Sequence, residues 1–505
     1  MLFRWSYVRT LILTWFLLLA SHLSAQIYPS EAASFYALRI PFRAEKIKDA
    51  HTYTFKFARS RYDQDAPFEK AVFLKTTQPA NVVIADLPEF DLGYSWQVEY
   101  FDAKGRKIKE SEIFHFRTLG RQGDKYRVRV IEDKYRNKDL FFFADYADGL
   151  FNMEGKAIWN LPSNVSGNEV SGYKSDVELT SQSTVTFLAG NKAFEIDYNG
   201  QQLWEAPPVY DRARNVPMYN YHHELTRHKN GNYMVIASEL LDRKIPPGFL
   251  NPPKKDSVYN MIDFGVLVEY DATGRQVWSW RSSEYFTDEQ IFRKKFVDGR
   301  ISPNTHMNAF CFDEARSVIY CGFKDINKIV KIKYPENKVL AEYSGTLQNG
   351  ERIFQKQHTI GVNAEGNLYI FNNNNGRMAN FSPMEAVAGE DLADSIAEVT
   401  ILREYGHDSV GYEKVWDFKC NFDRQAPAAS SRAGNVSQLR DGNYFVCMGG
   451  TPRIFIVTAK KEVLFNAIVE KWDDEEQQWK PFPQYRATPV YADDLDKLIF
   501  TTLPE

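Results

Sequence analysis

Apolar and polar positions alternate in short runs along the chain, the period expected of half-buried β-strands. Between residues 26 and 119 the runs are FYALRIPF, YTFKFARS, KAVFLKT, NVVIADL, YSWQVEYFD and IFHFRTL, with DAKGR as a hairpin turn. So many short strands in so short a segment predict a small β-sandwich, its last strands resembling those of fibronectin-III-like modules. His51 and His115 fall in this segment and read as surface or strand residues.

From about residue 120 a unit recurs: an apolar strand, a turn with Gly or polar residues, and a strand ending in a large apolar residue. Its six copies are GLFNMEGKAIW ending at Trp159, AFEIDYNGQQLW at Trp204, LVEYDATGRQVW at Trp278, IVKIKYPENKVLAEY at Tyr343, ILREYGHDSVGYEKVW at Trp416 and IFIVTAKKEVLF at Phe465. A second kind of hairpin precedes most of them. His223 begins HELTRHKNGNYMVIA, His306 begins HMNAFCFDEARSVIYC, and His358 begins HTIGVNAEGNLYIF. Two hairpins make a four-stranded blade, and six blades close into a β-propeller over residues 120–505. The fold class expected is all-β: a six-bladed β-propeller preceded by the sandwich. The terminal YRATPVYADDLDKLIFTTL reads as a further hairpin, so the C-terminus is expected to give two inner strands to the blade whose outer strands lie near 147–160.

In that topology the residues heading the inner strands gather at one mouth of the central channel. The longest loops, 241–263, 281–304 and 372–397, emerge there too. Three histidines heading equivalent hairpins, His223, His306 and His358, therefore read as one site. Asn308 shares a face with His306; Lys324 ends the second strand of that blade; Arg377 follows the His358 hairpin. Arg432, Asn435 and Arg486 come from the two remaining C-terminal inner strands. Imidazoles, amides and cations converging on one mouth suit a tetrahedral oxyanion. His222 neighbours His223 in a strand and is expected on the opposite face. His228 and His407 fall at or near turns and carry little weight.

Composition narrows the partners. A net charge of -4 gives no reason to expect nucleic acid. Residues 1–25, with Arg4 and Arg9, the run LILTWFLLLA and Ser24-Ala25, read as a signal peptide too short to span a bilayer comfortably, so an exported, periplasmic protein without a membrane anchor is expected. The cysteines Cys311, Cys321, Cys420 and Cys447 lack CxxC spacing, which disfavours metal or redox chemistry at sulfur. Cys311 and Cys321 lie symmetrically about Arg316, so a cross-strand disulfide and buried free thiols both fit.

HHELTRHKNGN at 222–232, THMNAF at 305–310 with Lys324 eighteen residues beyond His306, and QHT followed by EGNLYIFNNNNGR at 357–377 resemble the bacterial aryl-sulfate sulfotransferases over nearly the whole mature chain. The resemblance implies transfer of a sulfuryl group between phenols through a sulfated histidine, without a nucleotide donor. It makes His358 the nucleophile, with His223, His306 and Asn308 beside it. The family has arginine where this chain has Lys324, which keeps the charge and loses bidentate geometry. That chemistry requires no metal or organic cofactor. Its partners are small phenols and aryl sulfates, and a homodimer through the sandwich is compatible with it. Two other readings use the same residues: a metal-dependent propeller lyase acting on acidic sugars, for which Glu224 is the one carboxylate close in sequence, and a non-catalytic ligand-binding propeller.

Overall fold

The computed structural model describes residues 27–60, 68–120, 125–165, 168–170, 172–208, 210–211, 216–245, 259–292, 305–347, 349–374, 396–405 and 411–504. The chain divides into two compact units: Met1–Gly123 with Ile158–Asn160 and Leu495–Glu505, and Asp124–Ala157 with Leu161–Asp494.

In the first unit one sheet runs in the order Ala33–Phe35, Phe114–Thr118, Gly93–Phe101, Thr52–Arg59, Val72–Gln78, with Lys107–Glu110 beside Gly93–Phe101. A second sheet pairs Arg39–Arg43 with Val82–Asp86. Alternation aims Phe57, Trp96 and Phe116 inward, and Phe42 of the second sheet packs on them at ring-centroid distances of 4.7, 5.4 and 5.4 Å. Each such ring, removed from water, contributes roughly 2–3 kcal/mol.

The second unit is a succession of small antiparallel sheets. Ser175–Leu179, Val185–Ala189, Lys192–Ile196 and Gln202–Glu205 form one in chain order. The next has Val216–Arg227, Tyr233–Lys244, Tyr259–Tyr270 and Gln276–Arg281, with Tyr210–Asp211 at its edge. Met307–Asp313 to Lys338–Ser344, and His358–Val362 to Gly411–Lys419, repeat the meander. Asn435–Gln438 opens another, in which Tyr126–Asp133 adds alongside Val463–Asp473. Each repeated outer hairpin read from the sequence is found as such. Their turns share local chemistry: Asn152, Asp197 and Asp271 each accept, through Oδ1, the backbone N–H groups two and four residues on, at 2.8–3.1 Å. Gly155, Gly200 and Gly274 then take φ of +82°, +84° and +80°, which only glycine adopts freely.

Innermost strands touch in chain order, and Ala487–Tyr491 touches both Asn435–Gln438 and Ser175–Leu179. The wedges between sheets are filled by apolar side chains. Met234, Phe264 and Trp280 meet Ile319 and Phe323 in one; Phe371 and Val399 meet Val446 and Phe455 in another. The arrangement is mostly β and propeller-like.

Three expectations change. The C-terminus supplies one innermost strand, not two: Ala487–Tyr491 pairs with Leu140–Ala144, which continues to Gly149–Asn152 and Ala157–Asn160. The run ADDLDKLIF is a helix, Ala492–Phe500, because Leu495, Leu498 and Ile499 recur at helical spacing. The loop beginning at 281 opens with two short helices, Ser282–Tyr285 and Asp288–Ile291, the second started by a Thr287–Gln290 capping box. All four cysteines are free thiols. Cys311 lies opposite Tyr320 while Cys321 lies opposite Phe310, so a one-residue offset sends the two sulfurs to opposite faces.

Candidate active site

The inner strands share a strained residue, at or near the start of four of them and within Val216–Arg227 in the other. Asp176, His223, His306, Thr359 and Ala433 all have left-handed backbone, with φ of 56°, 68°, 48°, 53° and 55°. For residues other than glycine this costs on the order of 1 kcal/mol each. Register shifts accompany it at Ser175/Glu178, Tyr221/Leu225, Met307/Ala309 and His358/Ile360. Each bulge re-aims the side chains heading its strand.

His358 is buried and held at both ring nitrogens. Nδ1 lies 2.6 Å from Asn373 Oδ1, and Nε2 accepts the Ala433 N–H at 3.2 Å. Asn373 is itself fixed, its Nδ2 donating to the carbonyls of Ser430 and Ala433, each at 3.1 Å. An amide oxygen accepts only, so Nδ1 carries the proton and Nε2 the lone pair. Burial, with Lys324 next in importance, holds the ring well below the usual imidazole range, so it is neutral.

His223 and His306 stack edge to face with centroids 5.0 Å apart. Burial is the main reason both titrate low, His306 at about 4. His306 Nδ1 faces Asp325 at 3.9 Å, and Asp325 pairs with Lys356 at 2.7 Å. Lys324 is half-buried, and its ammonium has no ion-pair or hydrogen-bond partner among the described residues. Burial depresses its pKa, Lys356 and Arg432 adding to the effect and Asp325 opposing it. Asn308, fully buried, donates from Nδ2 to the Gln357 carbonyl at 2.7 Å, so it braces the residue before His358. Its Oδ1 has no partner among the described residues.

His222 is a correction. The bulge turns its ring to the side of His223, with the two Nδ1 atoms 2.5 Å apart and Nε2 2.6 Å from Ser238 Oγ. Strict alternation gave the wrong face because the bulge sets a four-residue step, Tyr221 to Leu225, against a two-residue step from Ala237 to Val235. Among the described residues Glu224 forms no hydrogen bond or ion pair with an imidazole. It accepts the Phe310 N–H at 2.9 Å and Arg486 at 3.2 Å, and burial lifts it to about 7.

Arg486 and Asn435 are also corrected. Arg486 is fully paired inside the ring, with Asp176 and Glu224, while its backbone N–H meets Asp145. A guanidinium so engaged is structural, a buried network rather than a free anion hook. Asn435 exchanges two hydrogen bonds with the Ala487 backbone, at 2.8 and 3.0 Å, and so clips neighbouring inner strands together. Arg432 is exposed near Lys324, and Arg377 lies outside the described residues. Sequence reasoning missed Asn373, Asp325, Lys356 and an aromatic wall. In that wall Tyr485 sits 5.9 Å from His223, Tyr146 6.3 Å from Tyr485, and Tyr173 4.8 Å from Tyr146. The NNNN run was the available signal for Asn373; the tyrosines had none. Among the described residues no group of three or more His, Cys, Asp or Glu side chains is arranged to hold a metal ion.

No curated protein matches the chain in sequence. Similar solved structures include a protein of unknown function from Bacteroides caccae, at 10% identity and TM-score 0.38, covering 73% of this chain and 99% of that one. Others are Kuenenia stuttgartiensis hydrazine synthase, at 6% and 0.35 over 80% and 92%, and the Myceliophteria thermophila Cps50 (Swd1) β-propeller domain, at 11% and 0.33 over 72% and 99%. The family model for arylsulfotransferase (ASST) matches residues 128–487, most of the chain and every site residue above, so the protein belongs to that family of sulfotransferase-type enzymes.

Proposed function

We propose that this is an exported, periplasmic aryl-sulfate sulfotransferase, a six-bladed propeller behind a fibronectin-III-like sandwich, that moves a sulfuryl group between phenols through a sulfohistidine at His358. The observation that carries the reading is a neutral, oriented imidazole whose Nε2 bears the lone pair, beside a half-buried lysine unpaired among the described residues and two further neutral imidazoles. Sulfuryl transfer, like phosphoryl transfer, passes through a loose transition state in which charge grows on the leaving oxygen.

Nε2 of His358 attacks sulfur in line as the phenolate leaves. To do so it gives up the long hydrogen bond from Ala433. Lys324 supplies positive charge to the nonbridging oxygens. His223 and His306 serve as neutral N–H donors to the departing oxygen, since burial disfavours imidazolium in both. The tyrosine wall suits an aryl ring. An acceptor phenol then takes the sulfuryl group from His358, giving ping-pong kinetics.

The test is incubation with 4-nitrophenyl sulfate, with and without added phenol, followed by intact-mass measurement and peptide mapping of the quenched enzyme. A one-sulfuryl adduct on the His358 peptide, absent from His358→Asn, is expected. An adduct on the His223 or His306 peptide overturns the assignment, and turnover with no adduct on any peptide overturns the covalent route.

A further inference from the structure

The desulfation half of this cycle has a proton to dispose of, and burial disfavours holding it as a charge on His222, His223, His306 or His358. When an acceptor phenol attacks the sulfuryl group, its O–H proton must leave. His223 is the imidazole placed to receive it, yet His223 and His222 are both strongly biased toward neutrality by burial, His222 down to about 3. A stable imidazolium in this pocket is costly.

His223 does not end the chain of contacts. Its Nδ1 lies 2.5 Å from His222 Nδ1, His222 Nε2 lies 2.6 Å from Ser238 Oγ, and the Ser238 side chain in turn acts on the carboxyl of Asp263 on the next strand. Two Nδ1 atoms at that distance share one proton, so one ring donates and the other accepts. Asp263 is half-buried, and burial raises its pKa, with Ser238 opposing the rise and Asp325 adding to it. The wire thus runs from the imidazole cluster to a carboxylate able to hold a proton.

We propose that His222, Ser238 and Asp263 form a proton relay through which His223 accepts the acceptor phenol's proton without becoming an imidazolium. This rests on the sulfotransferase reading. Before transfer, His223 Nδ1–H donates to His222 Nδ1, His222 Nε2–H donates to Ser238 Oγ, and Ser238 O–H donates to the Asp263 carboxylate. As the phenol oxygen bonds to sulfur and the N–S bond to His358 breaks, with its electron pair returning to the imidazole, the phenol proton passes to His223 Nε2. The Nδ1 proton moves to His222 Nδ1, the Nε2 proton of His222 moves to Ser238, and the hydroxyl proton moves to Asp263. One proton enters, one carboxylate is neutralised, and both imidazoles stay neutral throughout. Run backwards, the same wire supplies a proton to a leaving phenolate.

Ser238→Ala and Asp263→Asn interrupt the relay away from the substrate. With the full-length enzyme, sulfation is followed as nitrophenolate release from 4-nitrophenyl sulfate, whose leaving group needs no proton, and desulfation as transfer to phenols of graded pKa. The expected result is a loss in desulfation by weakly acidic phenols roughly a hundredfold greater than the loss in sulfation. Phenols already ionised at the assay pH should escape it. A proton inventory in mixed light and heavy water should change from a curved, several-proton dependence in the wild type to a one-proton dependence in Ser238→Ala. Equal losses in both half-reactions, or an unchanged inventory, overturn the relay in favour of a packing role. A wild-type enzyme that never releases nitrophenolate instead sinks the sulfotransferase reading itself.

Discussion

Lys324 stands where the sequence resemblance implies an arginine, and its surroundings say what the exchange does. It is half-buried, its charge helps hold His306 and His358 neutral, and it is unpaired among the described residues, while the neighbouring Lys356 is neutralised by Asp325. Lys324→Ala should lower kcat/KM by roughly a hundredfold, the cost of one donor aimed at developing charge. Lys324→Arg should keep or raise activity with 4-nitrophenyl sulfate. Turnover unchanged in Lys324→Ala would remove the side chain from the mechanism. His306 makes a separate prediction about pH. Its folded pKa of about 4 lies below the ordinary 6.5, so the unfolded chain binds the proton more readily. Its contribution to stability is therefore full above about pH 6.5 and is lost as pH falls toward 4, reaching about 2 kcal/mol at pH 5. His306→Asn should lose less melting temperature than the wild type between pH 7 and pH 5. An equal or larger drop contradicts a neutral His306 in the fold. The three histidines could be read together because each heads an equivalent hairpin, and Lys324 because it ends the second strand of the His306 blade. Arg486 was not, since its partners Asp176 and Glu224 lie 310 and 262 residues away in sequence.

The inner strands and their bulged heads explain why equal spacing did not mean equal roles. His223 and His358 stand at the same offset from their turns, yet the left-handed kink falls on His223 itself in one strand and on Thr359, the next residue, in the other. One imidazole is thereby turned toward His222 and the other toward Asn373 and Ala433. No alternation rule anticipates that, because a bulge adds residues without changing the pattern on either side. The outer hairpins were readable for the opposite reason: their Asx and glycine turns are set by neighbours within four residues. The loop that holds His358 depends on Gly434, with φ +97° and a position where an added Cβ would lie 2.4 Å from Phe371. Gly434→Ala should cost about 2–3 kcal/mol, from strain and overpacking together. It should also lower sulfation of His358 more than it lowers the melting temperature of the rest of the protein. A thermal scan paired with single-turnover nitrophenolate release checks both, and a variant with native stability and full sulfation overturns the bracing role.

Closure of the ring is where a long-range arrangement rests on a few residues. Ala487–Tyr491 is paired with Leu140–Ala144 in one sheet and touches the innermost strands of the sheets on both sides. Asn435 clips to its first residue through two hydrogen bonds, and Arg486, just before it, neutralises Asp176 and Glu224 in the buried interior. Removing the chain from about residue 484 therefore does three things at once. It exposes the Leu140–Ala144 backbone as an open edge, empties the apolar wedge that Ala487 shares with Phe142 and Phe445, and strands buried carboxylates without their cation. Breaking a buried pair from one side alone costs about 3–5 kcal/mol, a large fraction of the stability of a typical domain. The truncated protein should therefore fail to melt cooperatively and should be recovered mainly as aggregate. Arg486→Met separates the contributions: it removes the charge and keeps the strand. It should give a folded protein of lower melting temperature, with a smaller deficit at acid pH, where Glu224, raised to about 7 in the fold, is protonated and no longer needs a partner. A truncation that stays soluble and melts in one sharp transition would show that the last inner strand is an ornament on a ring closed by other means.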